Sequence, residues 1–248
     1  MSVSGQSGVG RIRLFDDFAG PEIPVGNAEA ATTPGHLIGP FKVTGSTHDT
    51  DSGVVSLAKA SGYAQLLSSA TADGDGVFVG TEVSISPELN GTIIVEARLE
   101  MAALTARCVF VGLMSANADE SKEPITSTGT TITKVVPCLG FVFDSQLTAT
   151  YWHMPYILAA DATQTSTTVV SSQVPVLAES DILRLEVDND GSARWFINGK
   201  LEQSVGAGLA ATPATLQAAG VGVWSTTTTV GSVDVDYLLV DFNRDWTR

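Results

Sequence analysis

The stretch DILRLEVDNDGSARWFINGKLEQS, residues 181–204, constrains the fold more than any other part of the chain. Leu183, Leu185 and Val187 alternate with Arg184, Glu186 and Asp188, the period of two that turns one strand face to a core and the other to water. Asp190-Gly191 and Asn198-Gly199 flank Ala193–Ile197 and are residue pairs that accept the positive φ of tight hairpin turns. The spacing predicts three antiparallel strands in a meander, and a meander of this kind belongs to an all-β protein.

The remaining chain carries the same punctuation. From Thr92 to Leu104, Glu96, Arg98 and Glu100 share one face and Val95, Ala97, Leu99 and Met101 the other, which predicts a half-wet strand. Cys108–Met114 and Leu139–Phe143 are apolar at both parities, so they are expected at a sheet centre with a cover on each face. That cover is either a loop of the same chain, such as residues 115–133, or a partner subunit. Further strands are predicted at Arg11–Phe18, Phe41–Val43, Val54–Ala58, Tyr63–Leu67, Val77–Ile85, Gly220–Thr226 and Val233–Phe242, with Asp234 and Asp236 facing water. Residues 21–40 read as a long loop and residues 1–10, rich in Ser and Gly, as a flexible arm. No repeat or linker interrupts residues 11–248, which predicts a single β-sandwich shared by strands from both ends of the chain.

Composition narrows the partners. Hydrophobic residues make up 44% of the 248 positions and charged residues only 16%, so solubility rests on Ser, Thr, Asn and Gly, as in many β proteins. The 27 acidic residues outnumber the 13 basic ones, and the net charge of -14 repels phosphate backbones and anionic head groups. Neither nucleic acid nor a membrane is an expected partner. No apolar run approaches the roughly 18 residues of a membrane span, and residues 1–20 lack the apolar stretch of a secretory leader, so synthesis in the cytoplasm is expected.

Several chemistries can be weighed residue by residue. Retaining glycosidases need two carboxyl groups about 5–5.5 Å apart, and Glu186 with Asp188 is the nearest approach to such a pair. Gly191 stands where a further Glu would complete the glucanase motif, so a solvated strand face explains the two acids and no catalytic residue is assigned. Asp188-Asn189-Asp190-Gly191 and Asp73-Gly74-Asp75-Gly76 resemble half of a calcium loop without its closing Glu, and turn chemistry accounts for both. His36, His48 and His153 lack metal-ligand spacing, no Gly-x-Ser-x-Gly elbow occurs, and the run Gly5–Gly10 lacks a phosphate-loop Lys. No cofactor is expected.

Three groups remain as candidates. Trp152, Tyr156 and His153 lie in the densest aromatic cluster, LTATYWHMPYIL, and aromatic faces stack on sugars or anchor interfaces. Arg11 and Arg13, at the base of the arm, are candidate contacts to an adjacent protein. Cys108 and Cys138 are read as two buried thiols, or as a cross-strand pair if their strands form a hairpin about residue 123.

The order LFDDFAG, TIIVEARLEM, VFVGLM, LGFVFDS, LRLEVDNDGSARWFINGK and VDVDYLLVDF, spanning residues 11–242, resembles the concanavalin A-like jelly roll of lectins, laminin-G domains and glucanases. Within that group it is similar to tailed-bacteriophage virion proteins, in which a VGL strand, a Thr-rich insertion, a GFxFD strand and an EVDxDGxARxFxNGK meander precede VDVDY. This resemblance implies a non-enzymatic capsid decoration or cement protein, located on the virion and bound to the major capsid protein. It also implies association with copies of itself, often as a trimer. The alternative within the same group is a lectin-like module that binds glycans.

Overall fold

A computed structural model describes residues 10–20, 37–45, 53–68, 74–116, 123–156 and 162–244. Residues 1–9 of the expected arm, and His36, His48 and Asp73, fall outside these residues. The first strands are β1 (Arg11–Asp16), β2 (Leu37–Ile38), β3 (Phe41–Gly45), β4 (Gly53–Leu57), β5 (Tyr63–Leu67) and β6 (Gly76–Gly80). After a short helix, α1 (Pro87–Asn90), come β7 (Ile93–Glu100), β8 (Arg107–Met114), β9 (Ile125–Thr128), β10 (Thr131–Lys134), β11 (Cys138–Asp144) and β12 (Thr163–Thr165). The last five are β13 (Ser180–Val187), β14 (Ala193–Ile197), β15 (Lys200–Val205), β16 (Ala218–Ser225) and β17 (Ser232–Asn243).

These strands form three antiparallel sheets. The larger runs β15-β14-β13-β7-β17-β5-β4, and β1 pairs with β17 beyond the end of β5, so both ends of the described chain meet in one sheet. The smaller runs β11-β8-β16-β6-β3-β2, and a three-stranded insert runs β12-β10-β9. Leu183, Leu185, Val187, Trp195, Val95, Ala97, Leu99, Leu238 and Val240 of the larger sheet face Val77, Val79, Val109, Val111, Leu113, Phe141, Phe143 and Val221 of the smaller. Trp195 spans this layer and donates its indole N–H to the Gly140 carbonyl at 2.9 Å, which satisfies the one polar atom the ring brings inside. The architecture is the all-β sandwich that the alternation predicts, with the concanavalin A-like jelly-roll form that the resemblance implies.

The smaller sheet is dry on both faces. Every residue of β6, β8, β11 and β16 is buried. Its outer face holds Phe78, Phe110, Met114, Val142 and Trp224 against Ile125, Ile132, Leu147 and Val169 of the insert and its flanks. Two of these rings lie flat along the strands only because glycines sit beside them. A Cβ on Gly222 would stand 2.4 Å from the Trp224 ring, and one on Gly80 2.5 Å from the Phe78 ring. The cover expected from the same chain is therefore real, but it is a hairpin and not a loop: Ile125, Ser127, Ile132 and Lys134 point inward from β9 and β10 about a turn at Gly129 (φ 60°).

Other expectations shift at the level of register. Asn198 (φ 52°) and Gly199 (φ 80°) make the predicted two-residue turn. Residues 188–192 make a longer one, in which only Gly191 is positive and the Asp188 N–H donates to the Ser192 carbonyl. Strand β6 stops at Gly80 instead of reaching Ile85, because the chain turns toward α1, where the Ser86 side chain accepts from the Leu89 N–H. Asp234 and Asp236 point outward yet are almost wholly covered, held by Lys59 and Gln65 and by Arg98 respectively.

The proposed thiol pair is corrected by the register of β8 and β11. These strands do pair, but Cys108 stands opposite Asp144 and Cys138 opposite Met114, six positions apart along the ladder, and both thiols are free and buried. Burial pushes both thiols up, Cys138 to about 12. Native protein is expected to resist a maleimide, and protein unfolded without reductant to take up two adducts by intact mass; zero adducts after unfolding would contradict the register.

Lys134, at the end of β10, is wholly buried on the inner side of the insert, where its ammonium donates to Gln164 at 2.7 Å, and desolvation pushes its pKa down to about 8. Between pH 8 and 10.5 the unfolded chain keeps this proton while the folded chain releases it, so the Lys134 contribution to stability rises with pH across that window. The urea-unfolding advantage of Lys134→Met over wild type is expected to be largest at pH 7 and about 2 kcal/mol smaller at pH 10. A pH-independent difference would show that the amine is not depressed.

Candidate functional site

The outer face of the larger sheet is the one broad sheet face left uncovered among the described residues, and at the parity opposite the core it mixes charged side chains with apolar ones such as Phe196, Ile182 and Leu239. Across it, Phe196 of β14 stands opposite Arg184 of β13, Arg184 opposite Glu96 of β7, and Glu96 opposite Leu239 of β17. A groove of about 470 Å³ opens over this row, lined by Glu96, Ile182, Arg184, Phe196, Asn198, Gly199 and Tyr237. The register shift between Val235 and Tyr237 places Tyr237 outward beside Arg98, where its hydroxyl donates to Glu96 at 2.8 Å. Burial, with the bond to Glu96, pushes the phenol pKa up and keeps it a donor. Phe15 of β1 packs its ring 6.0 Å from that of Tyr237 and extends the aromatic border outward.

The floor of the groove is charged and internally paired. Arg184 donates to Glu96 at 3.0 Å and to Glu186 at 2.8 Å, and Arg194 reaches Glu186 at 3.1 Å and Asp188 at 2.8 Å. The network holds the side chains in fixed places; exposed pairs of this kind add at most about 1 kcal/mol each to stability. Asn198, at the lip, accepts from the Ile182 N–H and donates to Asp181. Glu186 and Asp188, the nearest approach to a glycosidase pair, are thus bound to guanidinium groups, and Asp188 also accepts from the Thr92 hydroxyl at 2.8 Å. Asp190 accepts from the Ser192 N–H, the turn chemistry expected of that segment.

The candidates named from sequence lie elsewhere. Trp152 is in the core, its ring 6.1 Å from Phe143 and its indole N–H on Asp181 at 2.8 Å, so it offers no surface for recognition. Tyr156 is half-buried with its ring 6.0 Å from Trp195. His153 is buried and lines a second, smaller pocket of about 350 Å³ with Ala149, Tyr151, Ser166, Thr167, Val170 and Ser171. Its two ring nitrogens face the carbonyls of Ser166 and Ala149, and burial pushes its pKa down. Arg11 and Arg13 both grip the buried Asp241 carboxylate of β17, at 2.5 and 2.9 Å, and so pin β1 to its neighbour. Sequence reasoning missed Phe196, Tyr237 and Asn198 as site residues, although each stands in a segment it singled out.

One group has metal-ligand character. Cys108, Glu123 and Asp144 bring a sulfur and two carboxylate oxygens within 4.8 Å of one another beneath the insert. Their separation in sequence, across β8, the insert and β11, hides the grouping from any spacing pattern.

No protein-family model matches this chain. No curated protein matches it either. Solved structures do. A protein of unknown function, SO2946 from Shewanella oneidensis MR-1, is similar at a TM-score of 0.60 with 12% identity, covering 99% of this chain and 92% of that one. The carbohydrate recognition domain of Emp47p aligns at 0.51 with 9% identity over 97% and 100% of the two chains, and peanut lectin at 0.50 with 10% identity over 94% and 97%. The shared fold is the lectin-type sandwich. At these identities the likeness extends to the fold alone.

The placement of Trp152 is open to direct test. Trp152→Ala is expected to cost about 3–5 kcal/mol in chemical denaturation, the range for emptying a core site of an aromatic ring. A change below about 0.5 kcal/mol, the usual size for a surface position, would return the residue to the list of recognition candidates.

Proposed function

We propose that this protein is a non-catalytic carbohydrate-binding protein and that the groove on the outer face of the larger sheet is its sugar site. The observation that carries the reading is the composition of that groove, in which the Phe196 and Tyr237 rings border a hydrogen-bonding floor of Glu96 and Arg184 with Asn198 at the lip. A pyranose ring has an apolar C–H face and a rim of hydroxyls. Such a ligand needs aromatic surface and fixed polar groups together, as binding sites of this kind supply. The carbohydrate-recognition and lectin neighbours lend support at the level of fold. The engagement of Glu186 and Asp188 by arginines favours binding over hydrolysis. The capsid-surface reading, with its shell-protein and self-association partners and its virion location, draws on neither the groove nor these neighbours, so the glycan reading takes precedence.

A glycan array probed with wild type and Phe196→Ala tests the proposal. Wild type is expected to bind at least one glycan and Phe196→Ala to bind it at least tenfold more weakly, a loss of about 1.4 kcal/mol. Silence across the array, or equal binding by the variant, would sink the reading.

A further inference from the structure

The shape and charge of the groove define its ligand more narrowly. Phe196 and Tyr237 sit on β14 and β17, separated in the sheet by β13 and β7. At about 4.8 Å per inter-strand step, their backbones lie roughly 14 Å apart, and β1 with Phe15 extends the border to roughly 19 Å. The Tyr237 hydroxyl reaches inward to Glu96, so the wider span from Phe196 to Phe15 sets the length, and a ligand that meets aromatic surface at both of these ends needs several sugar rings. The polar groups between the rings, Arg184 and Glu96, form a row across the strands, perpendicular to the chain direction. A ligand lying along this row follows the aromatic line from Phe196 to Phe15.

Charge excludes a second set of ligands. Arg184, the one basic residue lining the groove, donates to two carboxylates, Glu96 and Glu186, and the lip residue Asn198 is bonded to Asp181. The guanidinium is therefore already engaged before any ligand arrives; Arg184 and Arg194 together face three carboxylates, Glu96, Glu186 and Asp188, so the network keeps one net negative charge, and the whole chain carries -14. A uronate, sialate or sulfate group would meet a local excess of carboxylate. Hydroxyl groups meet no such penalty, because carboxylate and amide oxygens accept from them and guanidinium N–H groups donate to them.

We infer that the groove takes an uncharged oligosaccharide of at least three sugars, lying across the strands of the larger sheet from Phe196 toward Tyr237 and Phe15. This inference rests on the carbohydrate reading proposed above, and it concerns the length and charge of the ligand.

Isothermal titration of the full chain with cello-, laminari-, manno-, xylo- and galacto-oligosaccharides of one to five units, and with oligogalacturonates of the same lengths, tests it. Within at least one neutral series, affinity is expected to rise tenfold or more between the monosaccharide and the trisaccharide and then to level off. Phe196→Ala and Tyr237→Ala should each remove most of that rise, with unfolding curves confirming that both variants remain folded. The galacturonates should bind at least tenfold more weakly than the best neutral series at 20 mM salt, with the gap closing at 500 mM salt as repulsion is screened. Monosaccharide binding as tight as trisaccharide binding, or a preference for galacturonates, would overturn this inference and leave the carbohydrate reading standing. Absence of binding in every series would overturn both.

Discussion

The dryness of the smaller sheet governs the rest of this molecule. Four neighbouring strands, β11, β8, β16 and β6, bury every residue on both faces, so the sheet cannot exist with either face in water. One cover is the larger sheet, which closes the main core. The other is the insert of β9, β10 and β12, which lies over Phe78, Phe110 and Trp224. A bare smaller sheet would expose several large rings at once, each carrying a burial free energy of about 1.5–3 kcal/mol. The insert is thus part of the folding unit of that sheet, and its Thr-rich surface keeps the far side soluble.

That demand also decides which broad sheet face stays open. Since the insert occupies the outer face of the smaller sheet, the outer face of the larger sheet is left as the broad surface for recognition among the described residues. Its strands pair each outward acid with an outward base: Arg11 and Arg13 with Asp241, Arg98 with Asp236, Lys59 with Glu100 and Asp234, Arg184 with Glu96 and Glu186, Arg194 with Glu186 and Asp188. Six of the 13 basic residues are committed here. Side chains locked in this manner present hydrogen-bonding atoms at fixed positions and spare a ligand the entropy of ordering them.

The legible part of this structure was whatever follows from period and turn chemistry. The meander, the half-wet β7 and the two-faced burial of β8 and β11 could be read from alternation, because a strand's side-chain period is set by the backbone itself. The hairpin of β9 and β10 stands in the sequence as ITSTGTTITK but reads as a loop, because Thr on both faces blurs the contrast that alternation depends on. Register was out of reach. A hairpin centred on residue 123 would set Cys108 opposite Cys138, whereas the insert shifts the pairing and brings Asp144 to Cys108. The aromatic cluster misled for a related reason: Trp152 and His153 pack inside because the segment that carries them closes the edge of β11, through bridges at Val142–His153 and Leu139–Tyr156. Phe196 and Tyr237, single rings in separate strands, are seen to line one groove only once β13 and β7 are known to lie between them.

On the reading proposed here, the same arrangement explains why a sugar-binding face should be built from paired charges and not from neutral polar residues. A guanidinium flanked by two carboxylates still offers N–H groups, and the carboxylates still accept hydroxyls, but the assembly attracts no polyanion and tolerates no stray cationic partner as a substitute for its own arginines. Amides could supply similar hydrogen bonds, yet their long side chains would be free to rotate, whereas the ion pairs across β14, β13 and β7 restrain one another through shared partners such as Glu186. The acidic surface elsewhere acts in the same direction at longer range, repelling anionic polymers within about 10 Å at 0.1 M salt and leaving neutral ones unaffected. Selectivity for an uncharged glycan then arises from two scales of the same charge pattern: arginines already held by a slight excess of carboxylate at the groove, and excess of acid around it.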